Sequence, residues 1–146
     1  MKILATTTTT VAAAALALAG CAAPPASQHP TPALGGPTAR VVELPPPPGA
    51  GKPREVRVLV DEPALKLASI VLRQGTVLPE HRSPVPVTIQ ALQGAGTVVA
   101  GSERLRIDAT HAAVLAADVP HAVEPDAGAD LVLLVHHLGR GEESHR

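Results

Sequence analysis

Beyond residue 55 the chain is a succession of short β-type runs broken by turn residues, with no stretch long and periodic enough to make a helix. Val56-Arg57-Val58-Leu59-Val60 opens the series, and residues 65–72 continue it. Gly75 and Pro79 punctuate the chain before Val87-Thr88-Ile89-Gln90-Ala91-Leu92. Gly94-Ala95-Gly96 offers a turn into Thr97-Val98-Val99-Ala100, and Gly101-Ser102 turns again into Arg104-Leu105-Arg106-Ile107. Charged and apolar residues alternate in that last run, the mark of a half-buried strand. Residues 112–115 give a weaker strand signal, because alanine favours helix. His121-Ala122-Val123 leads to a turn at Pro125-Asp126-Ala127-Gly128, and residues 131–135 are an unbroken apolar strand. Many short strands with regular turns pack as an antiparallel sandwich or barrel. The expected fold is all-β.

Phe, Tyr and Trp are absent, so the core must be built from Val, Leu, Ile and Ala. Each of these buries less area than an aromatic side chain. Sugars and single-stranded bases are usually held on flat aromatic faces, a platform this chain lacks. The formal net charge is -1 and no basic block occurs, which argues against a nucleic-acid partner.

Residues 22–53 have a different character. Ten of the 16 prolines fall there, including Pro45-Pro46-Pro47-Pro48. Proline removes backbone donors and favours an extended chain, so this stretch reads as a semi-rigid spacer. Arg40-Val41-Val42-Glu43-Leu44 interrupts it and is apolar enough to dock as an edge strand. Ahead of the spacer, Met1-Lys2 gives a short positive start and residues 3–19 carry no charge, the pattern of a secretory signal. Leu18-Ala19-Gly20-Cys21 follows and holds the only cysteine, which cannot form an internal disulfide. The segment resembles the signal of bacterial lipoproteins, which are cut before such a cysteine and acylated on it. That resemblance implies lipidation at Cys21, palmitate being one expected chain, and a membrane partner reached through the lipid. The protein would then be anchored to a bacterial membrane in the cell envelope, on a periplasmic or extracytoplasmic face. The expected organisation is a signal at 1–20, a Pro/Ala/Gly-rich tether at 21–53, a barrel at 54–138 and a polar tail at 139–146.

Of the seven histidines, two sit where a site could form. His81 closes Gly75-Thr76-Val77-Leu78-Pro79-Glu80-His81, and His121 opens a strand in Val119-Pro120-His121-Ala122-Val123. In an antiparallel barrel two such strands can face each other and point both imidazoles inward. Gly75, His81 and Gly94, together with the Val-Pro-His ending at His121, resemble the motifs of the cupin superfamily. Asp118 stands where the second motif has a glycine. The resemblance covers roughly residues 58–138 and implies a single jelly-roll β-barrel.

Metal-binding cupins use three histidines and a glutamate. Carried over one by one, these fall on His81, Ser83, His121 and a position at or beside Val87. Two of four ligands are replaced by a weak donor and an apolar side chain, whereas protein metal sites usually supply three or four ligands. Glu80, Gln90 or His111 could complete a set, although Gln90 has the wrong parity if Val87 faces inward. His136 and His137 are adjacent, so they face opposite sides of a strand, and with His145 they read as part of a solvated C-terminal stretch. His29 in the spacer and His111 in a turn read as solvated. The aspartates at 61, 108, 118 and 126 sit in turn-like contexts, where capping is the usual role. No nucleophile elbow or phosphate-cradling loop is present.

The expectation is a lipid-anchored cupin-domain protein that binds a small molecule without catalysis. His81, Ser83, Val87 and His121 would line its pocket, joined by Ile89 and Val114. No cofactor is expected; a divalent transition metal on His81 and His121 is the weaker option. Two alternatives stand beside it. One is a metal-dependent oxygenase or isomerase whose missing ligands come from substrate or Glu80. The other is an envelope interaction module using a sheet edge or the spacer. A homodimer is left open.

Overall fold

A computed structural model describes residues 34–37 and 39–139. The expected signal, Cys21, most of the tether, His29, and the tail with His145 lie outside the described residues. Nine strands follow in order: β1 Arg54–Asp61, β2 Leu65–Leu72, β3 Leu78–His81, β4 Val87–Gln93, β5 Gly96–Ala100, β6 Glu103–Ile107, β7 Ala112–Leu115, β8 His121–Pro125 and β9 Leu131–Leu138. They form a five-stranded sheet, β1-β2-β9-β4-β7, and a four-stranded sheet, β3-β8-β5-β6. Every pairing is antiparallel. No helix occurs among the described residues. The all-β expectation holds.

Alternation explains most of the strands. In β4, Val87, Ile89 and Ala91 are buried while Thr88 and Gln90 are half-buried on the other face. Strand β9 lies between β2 and β4, and apolar residues on both its faces are covered, so its sequence does not alternate. Leu72, Ile89, Val98, Ile107, Val123, Leu131 and Leu133 form the heart of the core. Full burial of such aliphatic side chains is worth about 1.5–3 kcal/mol each. Strand β7 forms despite its alanines because its backbone pairs along β4, with Ala113 opposite Ile89 and Leu115 opposite Val87. Local helix preference loses to that ladder.

Three irregularities aim side chains. Strands β1, β3 and β4 each carry a register shift. In β3, Leu78 lies opposite Val123 and His81 opposite His121, so three steps on β3 match two on β8. The extra residue lets Leu78 and His81 face the same side, although residues three apart on a regular strand face opposite sides. Pro79, which has no amide to give to the ladder, sits in the shifted segment. Between β4 and β5, Gly94 has φ +75°, and a Cβ there would lie 2.3 Å from the carbonyl oxygen of Asp130. Asp118 has φ +62°, a left-handed backbone that aspartate tolerates better than most residues. Its amide bonds the Ser83 carbonyl at 2.7 Å and ties the β7–β8 turn to the β3–β4 loop.

The segment 40–44 is not an edge strand. Its backbone is irregular and Val41 is 99% exposed. The prolines at 45–48 follow at once, and they limit the extended ladder that docking would need. Arg40 instead reaches Glu62 at 3.2 Å. Closer to β1, Arg73 binds the chain to the barrel. Its guanidinium donates to the carbonyls of Gly49 at 2.7 Å and Lys52 at 2.6 Å, and it pairs with Glu55 at 2.9 Å.

Candidate functional site

Between the sheets lies a cavity of about 570 Å³. Its wall is aliphatic: Ile70, Leu78, Val87, Ile89, Val123, Leu133 and Val135. Its polar groups are Asp61, Lys66, His81, Arg82, Ser83, His121 and His137. His81, Ser83, Val87 and His121 therefore border one space. Val114, expected in the lining, does not: it lies opposite Thr88 and shares that residue's outward face, 72% exposed. Ala113 and Leu115 are the inward residues of β7. Gln90 also has the outward parity of Thr88, and Glu80 is exposed on β3. His111 belongs to the β6–β7 turn, where Asp108 accepts bonds from the Thr110 and His111 amides. The His111 ring, followed by the Thr110 amide and hydroxyl, holds the Asp108 carboxyl far below the usual carboxylate range.

The two expected imidazoles meet. The ring centroids of His81 and His121 are 4.4 Å apart, with the planes tilted by 54°. His121 is only 3% exposed, while His81 is exposed at the opening. Each ring is held the same way. Nδ1 of His81 donates to the carbonyl of Pro79 at 2.9 Å, and Nδ1 of His121 donates to that of Val119 at 2.8 Å. A carbonyl can only accept, so Nδ1 carries the proton in both neutral rings and Nε2 keeps its lone pair. Burial pushes the His121 pKa down, and the His81 ring beside it adds to that, against the opposing carbonyl bond.

A third histidine borders the same cavity. His137 is opposite both Lys66 on β2 and Val87 on β4, in a row that Asp61 extends through its pairing with Lys66. Its Nδ1 is buried without a hydrogen-bond partner. Burial lowers its pKa and the Lys66 charge adds to the effect, against a hydrogen bond between the ring and the Lys66 backbone. His137 is thus a cavity residue on β9 and no part of a solvated terminal stretch. Parity alone would have found it, since Leu131, Leu133 and Val135 face inward on the same strand. Asp61 could not be found that way, because the shift in β1 sets its direction. His136, on the other face, lies 2.9 Å from Thr88 Oγ1 through its Nδ1.

The sequence matches no protein-family profile and no curated protein. Solved structures do resemble the fold. An RmlC-like cupin with a double-stranded β-helix fold from Methanocaldococcus jannaschii is 18% identical, with a TM-score of 0.63 over 76% of this chain and all of that one (100%). A cupin superfamily protein from Desulfitobacterium hafniense is 14% identical, with a TM-score of 0.58 over 68% of this chain and 98% of that one. The DMSP lyase DddQ from Ruegeria pomeroyi is 18% identical, with a TM-score of 0.56 over 62% of this chain and 49% of that one. At these identities the likeness carries the fold alone. The described residues form one jelly-roll barrel of the cupin type.

Metal-binding cupins supply three imidazoles and a carboxylate. At the positions that the cupin resemblance implies, His81, Ser83, His121 and a place at or beside Val87, this chain offers two imidazoles, a hydroxyl and a hydrocarbon. Ser83 Oγ already accepts the Val85 amide at 3.3 Å, and Val87 is 2% exposed among aliphatic neighbours. Among the described residues no group of three or more His, Cys, Asp or Glu lies close enough to hold an ion. This donor set does not match a tight protein metal site.

Proposed function

We propose that this chain is a lipid-anchored cupin-domain protein of the bacterial cell envelope that binds a small organic molecule in its barrel and does not catalyse a reaction. The observation that carries the binding reading is the cavity itself. A volume of about 570 Å³ with aliphatic walls and a few polar side chains is the usual form of a small-molecule site. The non-catalytic reading is supported by Ser83 and Val87, which stand at or beside two of the positions where the cupin resemblance implies metal ligands. The envelope reading rests on Leu18-Ala19-Gly20-Cys21 and the proline-rich stretch behind it.

One observation favours a second reading, a metal-dependent enzyme: His137 adds a third imidazole to the cavity from outside the motif positions. One experiment separates the two. The full chain is purified from membranes without a histidine tag and weighed by native mass spectrometry. A bound organic mass, lost when Ile70→Phe fills the cavity, supports the binding reading. Stoichiometric metal supports the enzyme reading. A bare protein from every preparation counts against both.

A further inference from the structure

We infer that the His81–His121 pair is a twin hydrogen-bond acceptor, and that the cavity selects an aliphatic ligand carrying two adjacent hydroxyl groups. This inference rests on the small-molecule reading above and names the ligand class. It starts from the two carbonyl contacts. Pro79 and Val119 each hold a ring through Nδ1, at 2.9 Å and 2.8 Å, so each ring has only Nε2 left to offer. A neutral ring in this tautomer presents a lone pair there and no proton. The two rings that carry these acceptors have centroids 4.4 Å apart. Whatever meets them must bring hydrogen-bond donors. A vicinal diol brings two, on adjacent carbons.

The surrounding charges decide among donors. An ammonium group would also donate, but the cavity is bordered by two cations, Lys66 and Arg82, against one carboxylate, Asp61, and that balance disfavours a cation. A carboxylate would be drawn toward those two cations, yet at the ring pair it would face two lone pairs with lone pairs of its own. A neutral hydroxyl has neither conflict. The walls beyond the rings are aliphatic, which calls for a hydrocarbon body rather than a fully hydroxylated one.

The test titrates the full-length protein with four probes of one chain length: vicinal hexanediol, hexanol, hexylamine and hexanoate. Binding is followed by calorimetry at neutral pH. The diol is expected to bind about fivefold tighter than hexanol, the effect of one added neutral hydrogen bond. Hexylamine and hexanoate should bind more weakly than the diol. His81→Phe keeps a flat ring but removes Nε2, and should reduce the diol to the level of hexanol. Should that variant fail to fold, ring-nitrogen NMR of the wild type gives the same answer. Both Nε2 signals should move when the diol is added, while both Nδ1–H signals stay. Equal or tighter binding of the amine or carboxylate overturns the inference, as do unmoved Nε2 signals. Tight stoichiometric zinc binding also overturns it, by assigning the pair to a metal. If none of the four probes binds, the small-molecule reading itself has failed. If they bind in another order, only the choice of ligand class has.

Discussion

Placing the two missing ligands is the most informative perturbation, because it asks how far the cavity is from a metal site. In the double variant Ser83→His, Val87→Glu, both new side chains border the space between His81 and His121. Val87 is 2% exposed and lies opposite His137, so a glutamate there is buried among aliphatic groups. Losing the valine's burial and introducing a carboxylate in that setting should cost about 3 kcal/mol without metal. Ser83→His also removes the hydroxyl that accepts the Val85 amide at 3.3 Å. Zinc should reverse most of the loss, since a ligand present at about a hundred times its dissociation constant stabilises by about 2.7 kcal/mol. The assay is urea unfolding followed by far-UV circular dichroism, with and without zinc, since the chain has no Trp or Tyr to report by fluorescence. A double variant that is stable without zinc, or that gains nothing from it, would refute the placement of these four residues around one point.

Acid should weaken the fold in two windows. His121 and His137 have folded pKa values pushed below 6.5, so between those values and 6.5 the unfolded chain binds more protons. Their contribution is complete above pH 6.5 and declines as pH falls toward the folded values; Asp108, also depressed, adds a further loss below its ordinary 3.8. Urea midpoints measured from pH 8 to pH 3 check this, and a midpoint that is flat below pH 6.5 would contradict it. Gly94→Ala should destabilise strongly, because the left-handed backbone alone costs an alanine about 1–2 kcal/mol and its Cβ would also overlap the Asp130 carbonyl oxygen, 2.3 Å away. A wild-type melting temperature for that variant would be inconsistent with the close approach. Cys21→Ala should leave the protein unprocessed or release it from membranes, and mass spectrometry of the native N-terminus should find a modified Cys21. An unmodified thiol there would end the lipoprotein reading.

Most strands were legible because alternation and turn residues mark them, as in Arg104-Leu105-Arg106-Ile107, and because glycine is needed at a turn such as Gly94. Strand β3 was not legible: Pro79 and the exposed Glu80 hide a short, shifted strand. The continuation of β9 through His136 and His137 was missed for a related reason. Polar residues at the end of an apolar run look like a terminus, yet here they are the part of a central strand that reaches the cavity opening. The face of β7 was misjudged at Val114, since either parity of Ala-Ala-Val-Leu puts one large apolar residue inward. His81 and His121 were legible from their motif positions, but the reason they meet was not. The shift in β3 sets it, and a register is fixed by pairing between strands rather than by either strand alone.

A crystal structure of the protein purified from membranes without added metal tests the central claim most directly. Extended organic density is expected in the cavity, in contact with the Nε2 atoms of His81 and His121, with no anomalous signal at transition-metal edges. A compact, anomalously scattering peak bound to both rings would contradict it, as would a cavity closed by the chain's own side chains.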